Sequence, residues 1–177
     1  NDMDSEPVNS IFDTEEAQQV ASVVRDTYFN IIAARQTPEH DELLKLTALS
    51  DSSKPTVFEY PTNVKEIRMF EYNGKEVYWK DPLKFLDNLP ASGQDDTVDF
   101  THPINNVVLT VRTDKNPRFY TSFDNQYIIC DSYDSAVDTT LTEAKSRCWG
   151  TKYPTFTLSD SFIPDISETM FPYLLAE

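Results

Sequence analysis

The spacing of apolar residues changes near residue 55, and this change constrains the fold more than any other feature of the sequence. Residues 13–35 repeat apolar side chains at the 3.6-residue period of a helix, whereas the chain beyond residue 55 follows the period of 2 that is typical of strands. The helical stripe consists of Ala17, Val20, Ala21, Val24, Tyr28, Ile31 and Ile32. Asp13 with Glu16 forms a capping-box pattern, which predicts that the helix begins at Asp13.

Further apolar residues extend the predicted helical part beyond this stripe. Val23 and Phe29 lie off the stripe, so we expect the helix to contact neighbours on more than one side. The leucines of residues 41–49 predict a short additional helical piece. Another helix is predicted to begin near Ser167, a candidate cap, and to include the apolar residues at the end of the chain.

The dipeptide Asn73-Gly74 gives the strongest hairpin signal in the chain, because a type I′ turn needs positive φ at both central residues. The expected cross-strand pairs are Tyr72 with Lys75, Phe70 with Val77 and Arg68 with Trp79. Both faces of the two strands are partly apolar, so we expect the hairpin to be covered on both sides.

Turn and cap signals divide the rest of the β-rich part. Asp81 followed by Pro82 predicts a short helix, with Asp81 as its N-cap and Pro82 at the first helical position. A polar, acidic loop is expected over residues 90–99. Strands are predicted at residues 107–112, 118–122, 126–131 and 155–158. The two middle strands of this set are expected to form a hairpin across Asp124-Asn125.

This order of elements predicts an α+β fold, in which amphipathic helices form a helical bundle beside a β-sandwich-like antiparallel domain. Residues 1–50 would supply the N-terminal helical part, residues 51–160 the β-rich domain with one short helix, and residues 161–177 the start of a C-terminal helix that returns to the bundle. The chain starts in a polar stretch without an initiator Met and stops inside an apolar helical pattern. We therefore expect it to be the middle of a longer subunit.

Acidic residues dominate the charge of the chain. Its 30 acidic and 15 basic side chains give a net charge of −15 at pH 7. Such a surplus argues against a protein that wraps duplex DNA with basic side chains. Three glycines cannot supply a dinucleotide-binding fingerprint or a phosphate-cradling loop. No apolar run approaches the roughly 18 residues needed to span a membrane, so we expect no membrane contact.

The side chains that could carry chemistry form no recognisable set. Asp131, Asp134 and Asp138 cluster along the chain without calcium-loop spacing, and we interpret them as local hydrogen-bonding residues of a turn. His40 and His102 each lack a second ligand at metal-binding spacing. No nucleophile motif points to an enzyme. We expect no catalytic residues, no cofactor and no metal ion.

The two cysteines do not amount to a disulfide framework. Cys130 lies in the apolar run of residues 127–130, which predicts a buried thiol in a strand. A disulfide between Cys130 and Cys148 stays open on the sequence alone.

Aromatic residues beside a cation mark a candidate contact surface. Residues 118–123 predict either a core strand or a contact with another subunit or a ligand, because Tyr, Phe and Arg are enriched at interface cores. The candidate interface residues are Arg118, Phe119, Tyr120 and Phe123, together with Phe171, Tyr173, Leu174 and Leu175 of the C-terminal apolar segment.

Several segments of the chain resemble one bacteriophage structural family. They are PRFYTSFD at residues 117–124, DSYDS at 131–135, PTF at 154–156, FIPDI at 162–166 and FPYLLAE at 171–177, with QQVA at 18–21 and VRDTY at 24–28 in the helix. The family is the head-to-tail adaptor of short-tailed phages, also called tail tubular protein A or head completion protein. The likeness covers most of the chain from residue 15 to residue 177.

The resemblance implies a structural protein of the virion, located at the head–tail junction and assembled in the cytoplasm of the host bacterium. It implies a homo-oligomeric ring, usually dodecameric, between the portal protein and the tail nozzle protein. Duplex DNA would pass through this ring without specific binding, and a negative bore suits that role because phosphate contacts by Lys and Arg would resist sliding. In the family the last helix continues beyond the point where this chain stops, and that segment would carry portal contacts.

Two other interpretations stay open. A β-sandwich binding module could hold a glycan or a peptide through surface aromatics such as Tyr72, Trp79 and Trp149. Such a module would be a monomer or small oligomer with a measurable small ligand. A carboxylate-dependent hydrolase would need a pair of acids, and the sequence singles out no pair.

Overall fold

The computed structural model describes residues 9–34, 38–169 and 172. The chain divides into two compact units. Unit 1 comprises Asn1–Asp41 and Lys152–Glu177, and unit 2 comprises Glu42–Thr151. Unit 2 is therefore continuous in sequence, whereas two separate segments of the chain build unit 1.

Unit 1 is built around one long helix, α1 (Glu15–Ala34). Thr14 caps its first turn, because the Thr14 Oγ1 accepts a hydrogen bond from the Ala17 amide at 3.1 Å. The carboxylate of Asp13 instead accepts two backbone amides of the preceding turn, each at 2.9 Å. The prediction that Asp13 caps the helix is therefore wrong by one residue.

The buried side of α1 carries the core of unit 1. Tyr28 and Ile32 are almost fully buried, and Phe156 and Ile166 pack against them from the second segment of the unit. The rings of Tyr28 and Phe156 lie 5.5 Å apart between centroids. The aromatic contacts thus join the two chain segments that form this unit.

Strands make up most of the regular structure of the described residues. They are β1 (Asp41–Leu44), β2 (Thr47–Ala48), β3 (Val57–Glu59), β4 (Val64–Tyr72), β5 (Lys75–Glu76), β6 (Tyr78–Trp79), β7 (Thr97–Thr101), β8 (Val108–Arg112), β9 (Phe119–Thr121), β10 (Tyr127–Cys130) and β11 (Ser146–Lys152). Hydrogen bonds arrange them in three sheets with the orders β1-β11-β4-β5, β2-β3-β10-β9-β6 and β7-β8.

The expected helical bundle beside a β-sandwich-like domain is wrong. The described residues contain one long α-helix and the short α2 (Pro82–Leu86), and their strands lie in three sheets. Residues 41–49 form β1 and β2 rather than a helical piece. Leu44 and Leu46 are buried while Leu43 is 73% exposed, which is the alternation of a strand.

Two other predicted elements differ near the end of the chain. Residues 155–158 form no strand, and the last strand is β11, which lies before them. Residues 161–169 are not helical, and most of the remaining predicted C-terminal helix lies outside the described residues. No helix within the described ranges combines the length and the apolarity needed to cross a membrane.

The Asn73-Gly74 turn joins β4 to β5 as predicted. Tyr72 pairs with Lys75 in an antiparallel register. Asn73 has a φ of 50° and Gly74 a φ of 74°, which are the two positive values that a type I′ turn requires.

The two arms of the hairpin separate beyond this turn. The Val77 amide still donates to the Phe70 carbonyl at 2.8 Å. The predicted pair of Arg68 with Trp79 is wrong, because Trp79 pairs in parallel with Tyr120 of β9 instead. The expected covering of both faces is also wrong. Phe70, Tyr72 and Val77 are buried, whereas Met69, Tyr78 and Trp79 are exposed by 37%, 51% and 52%.

Local signals elsewhere in unit 2 are confirmed. The Asp81 carboxylate accepts the Leu83 amide at 3.1 Å and caps α2, with Pro82 at the start of the helix. The β9–β10 hairpin forms across Asp124-Asn125, and β8 falls within residues 107–112. The loop predicted over residues 90–99 ends early, because β7 begins at its carboxyl end and pairs with β8.

Aromatic side chains form the core of unit 2. Phe70 contacts both Phe58 and Tyr120 edge to face, with centroid distances of 5.8 and 5.3 Å. A second cluster surrounds Phe85, which is 1% exposed and packs against Phe123. This contact anchors α2, since Phe85 is the one residue of that helix that is buried.

Candidate functional site

The predicted contact residues of β9 and its surroundings separate into a surface pair and a buried pair. Arg118 is exposed and Phe119 is partly buried. Tyr120 lies in the core, and Phe123 packs between Phe85 and His102. The other four candidates, Phe171, Tyr173, Leu174 and Leu175, lie outside the described residues.

Arg118 and Phe119 line a cleft of unit 2, called here the cationic cleft, with a volume of about 420 Å³. Cationic side chains outnumber acidic ones in its wall. The cations are Lys75, Arg112, Lys115 and Arg118, and the acids are Glu76 and Asp131. The cleft thus collects four basic residues of a chain in which acids are twice as frequent as bases.

Hydrogen bonds from side chains to the backbone hold the wall of the cationic cleft. The Asp131 Oδ1 accepts the amides of Arg118 and Phe119 at 2.9 and 3.0 Å. The Ser132 hydroxyl donates to the Asn116 carbonyl at 3.0 Å. These bonds tie the loop before β9 to the residues that follow β10, so the cationic side chains start from fixed backbone positions.

Two cations flank the aromatic ring of the cleft. The Lys80 Nζ lies 4.0 Å from the centroid of the Phe119 ring, and the Arg118 Cζ lies 5.2 Å from it. Both distances allow a cation–π interaction. The Phe119 ring therefore holds the two cations in place, and little of its face is free for a ligand to stack on.

Within the described part of the chain, the four cations of the cleft are not neutralised by ion pairs. None of the charged groups of Lys75, Arg112, Lys115 and Arg118 has a carboxylate within 4.0 Å there. Arginine and lysine side chains in such a setting can bind an oxyanion, and arginine does so with two parallel hydrogen bonds.

Unit 1 contains a second cavity, an apolar groove of about 750 Å³ beside the first half of α1. Its helical wall includes Ala17, Val20 and Val24, and its opposite wall includes Phe156 and Phe162. Val20 is 63% exposed in this position. The sequence predicted that α1 contacts several neighbours, and the groove leaves part of its apolar surface uncovered.

A buried histidine and a carboxylate form a pair that the sequence did not reveal. The His102 Nε2 lies 3.6 Å from the Asp124 Oδ2, and His102 is 1% exposed. The Ile104 amide donates to the His102 Nδ1 at 3.3 Å, so the proton of the neutral ring belongs on Nε2. His102 and Asp124 are far apart in sequence and no motif links them, so no sequence signal could have found this pair.

The aspartates singled out by the sequence serve local structure. The Asp134 carboxylate accepts the Ala136 amide at 3.1 Å, and Asp138 forms an ion pair with Lys145. The Asp131 carboxylate accepts hydrogen bonds from two backbone amides in the wall of the cationic cleft. No group of three or more His, Cys, Asp or Glu side chains in the described ranges could hold a metal ion.

The two cysteines are free and buried, as predicted for Cys130. Burial raises the pKa of the Cys148 thiol to about 12 and raises the pKa of Cys130 well above its ordinary value. Both thiols are therefore protonated at neutral pH, which removes the thiolate needed for a nucleophilic role.

One of the three aromatic residues proposed for a glycan or peptide site is buried. Tyr72 is 2% exposed, whereas Trp79 is 52% and Trp149 is 37% exposed. Tyr72 therefore cannot take part in a stacking platform.

No family model matches the chain, and no curated protein matches it.

Proposed function

We propose that this chain is a structural subunit of a homo-oligomeric ring that joins the portal of a short-tailed phage head to the tail nozzle. In this role it would have no catalytic activity and would form part of the conduit through which DNA is ejected. The likeness of the segments at residues 117–124, 131–135 and 162–166 to head-to-tail adaptors supports the family. The exposed apolar residues of α1 support the proposal that the chain forms an oligomer.

The exposed apolar residues of α1 are the observation that carries the proposal. Val20 and Val23 are 63% and 55% exposed, and Phe29 is 37% exposed. The described residues of unit 1 include no second α-helix that could cover them. Val20 and Val23, three positions apart, are neighbours on the helix surface, and exposed apolar neighbours of this kind mark a protein–protein contact. We infer that a neighbouring copy of the chain covers them.

The net charge of −15 agrees with a conduit for DNA. A ring of many copies would carry a strongly negative potential, so phosphates of the duplex would be repelled from its wall. A duplex that is not held by many Lys and Arg contacts slides freely.

The assembly state tests the proposal. Native mass spectrometry and electron microscopy of the purified chain, alone and mixed with the portal assembly of the same phage, should show a ring. The variant Val20→Glu/Val23→Glu should remove the ring, because it places two charges on the uncovered apolar surface. The matched control Gln18→Glu/Gln19→Glu adds the same charge to the same helix at exposed polar positions and should still assemble. A wild-type chain that remains a monomer in the presence of the portal would overturn the proposal.

A further inference from the structure

The charge of the cationic cleft in unit 2 is opposite in sign to the net charge of the whole chain. Acids outnumber bases by 30 to 15 in the sequence, whereas four bases and two acids line this cleft. The cations come from the β5 arm of the hairpin, the end of β8, the loop that follows β8 and the position just before β9. Chain segments that are far apart in sequence thus bring like charges together.

The two acids offset only part of the repulsion among the four cations, and a bound anion would offset more of it. The Oδ1 of Asp131 is directed to the backbone, where it accepts two amides and lies 3.3 Å from the Ser132 hydroxyl. Among the described residues, the charged groups of Arg112 and Lys115 have no carboxylate within 4.0 Å, so they remain available to a ligand.

The side chains fit one class of anion. Two guanidinium groups offer paired N–H donors for an oxyanion, and two ammonium groups add point charges. Four positive and two negative side chains leave the cleft with a net charge that suits a phosphate group carrying more than one negative charge. The side-chain amide of Asn116 adds a neutral donor to the same wall, whereas that of Asn88 already donates to the Lys84 carbonyl.

The two cations over the Phe119 ring limit which part of a ligand the cleft can contact. Lys80 and Arg118 lie over this ring, so a nucleobase has little surface on which to stack. A ligand of this cleft would be held by its phosphate, and its affinity would not depend on the base.

We propose that the cationic cleft is a phosphate-binding site, which takes the phosphate of a small molecule or a phosphodiester of nucleic acid. The site is independent of the ring proposal, since it lies entirely within unit 2 and its ligand binding is measurable without assembly. In a DNA conduit it would provide a local, salt-sensitive contact on an otherwise repelling protein.

Titration calorimetry with inorganic phosphate and with adenosine monophosphate, and fluorescence anisotropy with a labelled 12-base-pair duplex, test the site. The variant Lys75→Gln/Lys115→Gln should weaken the binding by about tenfold or more, because it removes two charge-assisted hydrogen bonds to the anion. The control Lys45→Gln/Lys65→Gln removes the same charge from exposed positions outside the cleft and should leave binding unchanged. Binding of phosphate without the duplex would assign the site to a small ligand, and binding of the duplex would assign it to a phosphodiester.

A conservative change separates direct ligand binding from a structural effect. Arg118→Lys keeps the charge but removes the forked donor pair, so phosphate binding should weaken while the tryptophan emission of the folded chain stays the same. For a duplex, the Lys75→Gln/Lys115→Gln variant should also make the negative slope of log K against log salt shallower, by about 0.9 for each DNA phosphate that the variant no longer neutralises. Failure of the wild-type protein to bind any of the three probes, or equal weakening in both double variants, would overturn the proposal whatever the assembly state.

Discussion

Gly150 occupies a position in β11 where a methyl group has no room. An added Cβ would lie 2.3 Å from the Glu66 carbonyl oxygen, 2.7 Å from the Leu44 Cδ1 and 3.1 Å from the Ile67 Cα. Strand β11 is hydrogen-bonded between β1 and β4. The Leu44 side chain can rotate away, but the two backbone atoms of β4 can yield only if the strands move apart. Gly150→Ala should therefore destabilise the four-stranded sheet.

The size of this effect follows from the three short distances. Overpacking of a close-packed site costs about 1–3 kcal/mol, and the two backbone clashes place the cost of Gly150→Ala at about 3 kcal/mol. Replacement of glycine also lowers the conformational entropy of the unfolded chain, which stabilises the folded state by about 0.4–1 kcal/mol. The expected net loss of stability is about 2 kcal/mol, and a urea m-value of about 2 kcal/mol/M converts it to a fall of about 1 M in the unfolding midpoint.

Tryptophan fluorescence during urea unfolding reports on unit 2, the unit that contains Gly150. Trp79 and Trp149, the two tryptophans of the chain, both lie in unit 2. Gly93→Ala is the matched control, because Gly93 has a φ of +79° and a methyl group added there would meet no atom within 4 Å. That control should lose only the ~1 kcal/mol associated with a left-handed alanine. A Gly150→Ala midpoint equal to that of the wild type, or a larger destabilisation in Gly93→Ala, would refute the steric reasoning.

Three further predictions concern unit 2. Asp81→Ala should lower the free energy of unfolding by about 1 kcal/mol through loss of the α2 cap, and Asp81→Asn should lose much less in the same urea titration. Phe85→Ala should cost about 3–5 kcal/mol because the buried ring leaves a cavity, and a cost below about 1 kcal/mol would contradict its role as the anchor of α2. Burial raises the pKa of Cys148 from 9.0 to about 12, so the unfolded chain loses the thiol proton first and stability should fall between pH 9 and pH 12. Cys148→Ala should flatten the pH profile of the unfolding midpoint in that interval, and an unchanged slope would show that this thiol does not contribute.

Local turn and cap chemistry made parts of unit 2 predictable. Asn73-Gly74 and Asp81-Pro82 act within four or five residues, so their signals do not depend on the rest of the fold. The pairing of Arg68 with Trp79 failed because β6 binds β9, about forty residues further along the chain. A hairpin pattern contains no information about such a distant competitor for the same strand.

The error over residues 41–49 has a different physical cause. Three leucines close together fit a short helix and a short strand almost equally well. In the structure Leu44 and Leu46 point into the core and Leu43 is 73% exposed, so only the alternation distinguishes the two cases. The helical bundle was inferred partly from this segment, and α1 without it has no described helical partner in unit 1.

The cationic cleft shows why net charge did not predict the candidate site. The sequence identified Arg118 and Phe119 as contact residues, but Lys75 and Arg112 join them only through the sheet topology. Interactions between exposed charges are largely screened beyond about 8 Å at physiological ionic strength. A ligand inside the cleft is therefore attracted mainly by the cations around it, while the acids elsewhere on the chain, which give the net charge of −15, repel a duplex only where it comes within that distance of them. The same chain can thus repel a duplex along most of its surface and still bind a phosphate at one point.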